Sequence, residues 1–240
     1  VTTDSTPRAA KPQTTSAAAA TPGEQAESTA TSQPVKLRGG RRLVALAAAG
    51  IRDPISVGTF APSSQALANR LASVVPTVAH HDSPVVVELG AGTGEITPAI
   101  MRRAGSSARV IAIEHDPKLA AILDRRGLGA EVVAADAMLL PRLLAERGIE
   151  RVDAVVSAIP FTLMPMDGQR AMLDAVHASV HPNGVFTTVA YAAGLQLPGA
   201  VRFRRELGLR FDEVLPTRTI WRNFLPAMTY VCRHPRRAGA

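Results

Sequence analysis

Apolar runs of five to seven residues recur along the chain, and between them apolar positions return every three or four residues. The runs are Val85–Leu89, Val110–Glu114, Glu131–Ala135, Asp153–Ser157 and Gly184–Ala190; the stretches between and around them are Glu95–Arg103, Pro117–Arg125, Leu139–Arg147 and Gly168–Val180. Runs that stay apolar throughout predict strands buried on both faces. Helices placed between such strands predict a mostly parallel sheet covered on each side. Ala200–Leu209 reads as one more helix, and Arg210–Leu215 and Met228–Arg233 as two closing strands. The expected fold class is α/β, a doubly wound sheet of seven strands. Upstream, Ser63 or Ser64 is placed to cap a helix over Gln65–Val74 that turns Leu67, Leu71 and Val74 inward. A loop from Pro76 to Pro84 leads into the first strand, and Asn183-Gly184 marks the turn into the fifth.

The same pattern divides the 240 residues into three parts. Residues 1–34 hold Thr, Ser, Ala, Pro and Gln with scattered charge and no apolar face. That composition does not offset the entropy of ordering, so a disordered tail is expected. Residues 35–83 are expected to form an N-terminal helical segment. In it, Leu43, Leu46, Ala47, Gly50 and Ile51 share a stripe beside Arg38, Arg41, Arg42 and Arg52. A helix lying in a membrane interface has this pattern, and so does an ordinary docked helix with solvated arginines. Residues 84–240 carry the α/β core.

Composition narrows the picture in a few places. Aromatic residues make up only 4% of the chain against 46% hydrophobic residues, so the core must rest on Val, Ala, Leu and Ile. The single cysteine, Cys232, allows no internal disulfide framework and no thiolate cluster. A net charge of +7 suits nucleic acid or an anionic membrane surface without choosing between them. No apolar run reaches the ~20 residues that span a bilayer, and Val1 to Pro34 lacks the apolar centre of a signal peptide. The expected location is cytoplasmic, with peripheral attachment to the inner face of the plasma membrane. His80-His81, His177 and His181 lack a third ligand in pattern, so no metal is expected.

The densest chemistry lies at Glu88-Leu89-Gly90-Ala91-Gly92-Thr93-Gly94, where the first strand enters a glycine-rich turn that opens a helix. Glycines there let the backbone turn tightly and approach a nucleoside ligand, and the free amides of the helix start face the same place. Glu88, at the strand end, is placed to orient loop amides or a ligand's amino group. Glu114 closes the second strand, where a carboxylate accepts from both ribose hydroxyls, with His115 alongside. Asp136 follows the third strand, where it accepts from an adenine amino group with Ala137 against the ring; a cap on the segment near Leu139 is the alternative, less favoured because the acids occupy successive strand ends. Asp116, ahead of Pro117, reads as a helix cap. Acids at successive strand ends, with a glycine spacing other than G-x-G-x-x-G, favour S-adenosylmethionine over a dinucleotide.

The fourth strand ends Ser157-Ala158-Ile159-Pro160-Phe161. Proline forces an extended turn there. Its carbonyls can steer an acceptor amine while Phe161 covers a transferred methyl group; a plain strand-to-loop break is the alternative.

At this point the sequence resembles the bacterial phospholipid N-methyltransferases, class I S-adenosylmethionine-dependent enzymes that convert phosphatidylethanolamine toward phosphatidylcholine. The resemblance spans about residues 35–233. It rests on Gly58-Thr59-Phe60-Ala61-Pro62-Ser63-Ser64, the Glu88–Gly94 segment, Glu114, Asp136, Ser157-Ala158-Ile159-Pro160, Tyr191 and Trp221-Arg222-Asn223. It implies the Rossmann-like class I methyltransferase fold. It implies S-adenosylmethionine held by Phe60, Ser63, Glu88, Gly90, Ala91, Gly92, Gly94, Glu114, His115, Asp136, Ala137 and Ser157. Catalytic positions would be Ser157, Ile159, Pro160 and Tyr191, with the lipid head group near Phe161, Tyr191, Arg222 and Asn223. The segment from Val35 would sit on an anionic membrane and close over the site.

Two features depart from that family: Gly39-Gly40 interrupts the basic start, and Ala192 follows Tyr191. The related rRNA adenine dimethylases carry Asn or Asp where Ser157 stands, which counts against a nucleic-acid substrate. The expected function is N-methylation of an amine-bearing phospholipid such as phosphatidylethanolamine, by a monomer working at the membrane surface. A soluble small-molecule or peptide methyltransferase is the first alternative, ahead of an RNA adenine methyltransferase or a noncatalytic RNA-binding protein.

Overall fold

The structure, a computed structural model, describes residues 63–77 and 83–236. The predicted tail, the arginine-bearing stripe, Phe60 and His80-His81 lie outside the described residues.

One sheet holds seven strands: β1 (Val85–Leu89), β2 (Arg109–Glu114), β3 (Glu131–Ala134), β4 (Val152–Ser157), β5 (Val180–Tyr191), β6 (Phe211–Pro216) and β7 (Ala227–Pro235). Their order is β3-β2-β1-β4-β5-β7-β6. The first five pair in parallel, and β7 runs antiparallel to both β5 and β6. The chain therefore builds outward from β1 to β3 and crosses back to β4. The strand order reverses between β1 and β4, which is where a doubly wound sheet leaves a crevice at its carboxyl edge. The helices are α1 (Gln65–Ala72), α2 (Thr97–Ala104), α3 (Pro117–Arg125), α4 (Leu140–Ala145), α5 (Met166–Ser179) and α6 (Pro198–Arg210).

Successive strand residues face opposite layers, and the two layers are distinct. Val87, Leu89, Ile111, Ile113, Val155 and Phe186 pack with Leu140, Leu173 and Phe203 on the side of α4, α5 and α6. Val86, Val110, Ala154, Val156, Val189 and Val231 pack with Leu67, Leu71 and Ile100 on the side of α1 and α2. Glu88 falls in phase with Val86, so its side chain is carried into the second, apolar layer beneath α2. Cys232 is a fully buried core residue, and burial pushes its thiol above the ordinary range.

Within the described residues the predicted strands and helices appear, most with shifted ends. The second helix starts at Thr97 rather than Glu95, because Gly90, Gly92 and Gly94 all take positive φ and extend the turn. The stretch predicted as one helix over Leu139–Arg147 is a 3-10 turn, Ala137–Leu139, followed by α4. Asn183-Gly184 is no turn between elements. It belongs to a bulge inside the long β5, where the pairing passes from Val152 with Val180 to Ala154 with Val185.

Candidate active site

The glycine turn is fastened from both neighbouring strands. The Gly90 and Ala91 amides both donate to the Ile113 carbonyl of β2, at 2.9 and 3.2 Å, and the Ala158 amide beyond β4 donates to the Leu89 carbonyl at 3.0 Å. Gly90 has φ +69°, and a Cβ built on it would lie 2.8 Å from Ile159 Cγ1. The glycine turn and the β4 exit therefore touch, and only a residue without a side chain allows it. We expect Gly90→Ala to destabilise the fold by about 2 kcal/mol or more, through the left-handed backbone and the overlap together. Thermal unfolding measures this; an unchanged midpoint would mean that the contact relaxes freely. Gly92 differs: at φ +56° its Cβ would meet nothing within 4 Å, so the backbone borders open space there.

Glu114, at the end of β2, is nearly buried and bonds to backbone on both oxygens. Oε2 accepts from the Gly92 amide at 2.7 Å, and Oε1 from the Asp116 amide at 2.9 Å. A carboxylate offers about four lone-pair positions, so two remain for ligand hydroxyls. Glu88 is fully buried. Its Oε2 accepts from Thr97 Oγ1 at 2.7 Å, and its Oε1 has no partner. Desolvation pushes its carboxyl up to about 8, the Thr97 hydroxyl opposes that, and the charge of Glu114 adds to it. Asp136 is half-buried after β3, and its Oδ1 accepts from the Met138 amide at 2.9 Å, so it does cap the turn that follows. Asp116 caps α3 through the Lys118 amide at 2.7 Å. His115 is exposed beside Glu114, and Ala137 is buried in the core under Asp136.

The other predicted positions separate. Ser157 is fully buried, and its hydroxyl accepts from the Ile159 amide at 3.1 Å, which shapes the turn out of β4. Ile159 and Pro160 are half-buried along that turn. Phe161 does not cover the site. It is fully buried, stacked on Phe203 with ring centres 5.2 Å apart and edge-on to Phe186 at 5.9 Å, because the 3-10 turn after Pro160 folds it back into the core. Tyr191 ends β5, and burial pushes its phenol up. It pairs with Ala227 at the start of β7, and the Ala192 amide donates to the Pro226 carbonyl, so the loop 217–226 rises from the same edge. Arg222 is exposed on that loop. Asn223 is nearly buried and bonds at both ends of its amide: Oδ1 accepts from the Ser64 amide and Nδ2 donates to the Leu225 carbonyl, both at 2.8 Å. It braces the loop against the start of α1. Ser64 is the cap of α1, accepting from the Leu67 amide, and Ser63 lies half-buried just before it.

Two contributors carry no local signal in the sequence. Arg126, beyond α3, donates to the carbonyls of Thr93 and Gly94 at 2.6 and 3.2 Å and holds the far end of the glycine turn. Thr97 supplies the one hydrogen bond that Glu88 receives. A cleft of about 470 Å³ lies among Leu123, Leu128, Ala130 and Val132, but neither Glu88, Glu114 nor Asp136 lines it. Among the described residues no group of three or more His, Cys, Asp or Glu side chains is placed to hold a metal.

Open space at Gly92 and carboxylates at two successive strand ends make an acceptor set that fits the hydroxyl and amino donors of a nucleoside. The family described as a methyltransferase domain matches residues 86–184. The ornithine lipid N-methyltransferase of Singulisphaera acidiphila is 36% identical over 181 residues, which is 74% of this chain and 88% of that protein. The chain belongs to the bacterial lipid N-methyltransferase family. This methyltransferase is a class I enzyme dependent on S-adenosylmethionine. The crystal structure of Burkholderia thailandensis 1,6-didemethyltoxoflavin-N1-methyltransferase, with 1,6-didemethyltoxoflavin and S-adenosylhomocysteine bound, shares the fold at 19% identity and a TM-score of 0.51. The match covers 85% of this chain and 94% of that one. A dimethyladenosine transferase of Chaetomium thermophilum is 38% identical over 85 residues, only 33% of this methyltransferase and 20% of that protein.

Proposed function

We propose that this methyltransferase moves the methyl group of S-adenosylmethionine to the amine of a lipid head group at a membrane surface. The observation that carries the reading is the match along most of a protein named for ornithine lipid N-methylation. Phosphatidylethanolamine and ornithine lipid share the required chemistry, a primary amine near an anionic or polar group on an acyl-chain anchor.

S-adenosylmethionine, when bound, supplies a methyl carbon on positively charged sulfur. The work of the chain is binding and positioning, which together lower the barrier to an in-line transfer. Gly90, Ala91, Gly92 and Gly94 bring the backbone against the cofactor. Glu114 uses its remaining lone pairs on the ribose hydroxyls, and Asp136 accepts from the adenine amino group. His115 and Ser63 flank that space. The turn Ser157–Pro160 borders it through the contact of Ile159 with Gly90. Carbonyls of that turn accept from the amine N–H bonds and leave the nitrogen lone pair facing the methyl carbon; solvent takes the proton. Tyr191 remains a neutral phenol that orients the amine, and Arg222 meets the anionic part of the head group.

The test supplies labelled S-adenosylmethionine with vesicles containing phosphatidylethanolamine, ornithine lipid or neither, and identifies products by mass spectrometry. Stepwise methyl gains on one lipid name the acceptor. No labelled lipid, from protein shown by calorimetry to bind S-adenosylhomocysteine, would sink the lipid reading and turn the search to soluble amines.

A further inference from the structure

We propose that the loop 217–226 is a membrane-inserting tip, which docks the carboxyl edge of the sheet on an anionic lipid surface. This rests on the lipid reading above and names the surface that serves it. Trp221 and Phe224 are 76% and 75% exposed, more than any other large apolar side chain among the described residues. Exposure of this kind has a cost in water and marks an interaction surface. The two side chains are held out by construction. Between them Asn223 is drawn inward by its bonds to Ser64 and Leu225, the Ile220 and Ala227 backbones pair in both directions, and Pro226 is tied to Ala192.

The position of the tip matters as much as its exposure. β7 begins where β5 ends, with Ala227 paired to Tyr191, so the tip stands at the same edge as the glycine turn and the β4 exit. Exposed Met166 and Leu197 stand at that edge too, immediately before or within the first turn of α5 and α6. Arg218 and Arg222 flank the tip, both exposed, and neither takes part in an ion pair found among the described residues. Aromatic side chains at the head-group level with arginines facing anionic lipid form the chemistry of an interfacial contact. Charge complementarity selects a bilayer over a second copy, since this chain carries a net charge of +7.

Trp221 is the only tryptophan of the chain, so intrinsic fluorescence reports on the tip alone. The full chain is mixed with vesicles of phosphatidylethanolamine and phosphatidylglycerol, or of phosphatidylcholine alone, with and without brominated acyl chains. The expected result is co-sedimentation with the anionic vesicles, a blue shift of the emission and quenching by brominated lipid, all much weaker on phosphatidylcholine. A Trp221→Ser, Phe224→Ser variant should lose about tenfold or more in vesicle affinity. Its affinity for S-adenosylhomocysteine and its turnover of a short-chain, water-soluble acceptor should not change.

Co-sedimentation with a wet, unquenched Trp221 would overturn the proposal and leave lipid methylation intact. So would a tryptophan already shielded from iodide without vesicles, which would mean that residues 1–62 or a second copy cover the tip. Insertion of Trp221 without methylation of any lipid would overturn the functional reading and leave the docking surface standing.

Discussion

Replacing Glu114 by alanine is expected to lower the affinity for S-adenosylhomocysteine by about 100-fold or more and to abolish methyl transfer at ordinary cofactor concentrations. The side chain does two things at once. It holds the Gly92 and Asp116 amides, which fixes the glycine turn against the end of β2. It also keeps two lone pairs, the ones the proposed binding mode gives to the ribose. A hydrogen bond to a charged group is worth about 1.5–3 kcal/mol, and a half-buried amide left without its partner adds part of its desolvation cost. Glu114→Gln keeps the shape but sets an NH₂ against one of two amide donors, so it should fall between alanine and the native residue. Isothermal titration calorimetry with S-adenosylhomocysteine measures the loss. An alanine variant that binds within about threefold of the native chain would remove Glu114 from the cofactor site.

The second large effect concerns stability and pH. Glu88 titrates near its ordinary 4.5 in the unfolded chain and near 8 in the folded one. Between those values the folded chain holds a proton that the unfolded chain has released, so unfolding releases it and stability falls as pH rises. Below 4.5 both states are protonated and the native state keeps its full advantage. Above 8 both are ionised, and a buried anion with an unpartnered oxygen stands against folding. The loss across the window is on the order of 5 kcal/mol. Glu88→Gln removes the titration, so the variant should show a much flatter dependence and exceed the native chain in stability at pH 8.5. Urea unfolding of the ligand-free protein at pH 5, 7 and 8.5 decides it. Parallel curves for the two proteins would show that Glu88 ionises freely in the folded state.

The core strands were legible because burial on both faces makes apolarity continuous. β1 matches its predicted bounds, and the starts or ends of β2, β3 and β4 move by one residue. β5 was read short because His181, Pro182 and Asn183 are exposed within it, and a polar stretch looks like a turn when the strand carrying it bulges. The glycine turn and the strand-end acids could be found from spacing alone. Asp136 caps the turn after β3, a role that spacing does not separate from a ligand-binding one. Phe161 and Asn223 were placed at the acceptor by residue type and resemblance. Which way a side chain turns out of a strand end depends on what lies beneath it, and in this fold Phe203 and the amide of Ser64 lie there. Arg126 escaped notice because its partners, Thr93 and Gly94, stand more than thirty residues away.

The bond between Asn223 and Ser64 also sets where the first 62 residues are attached. It pins the start of α1 beside the loop 217–226, so a contact made there with a surface that the tip already holds is an intramolecular event. Linkage of that kind raises the local concentration of a second binding segment to about the millimolar range without any new contact. Two modest contacts with one bilayer would then act jointly, and dwell time would scale with the product of their affinities.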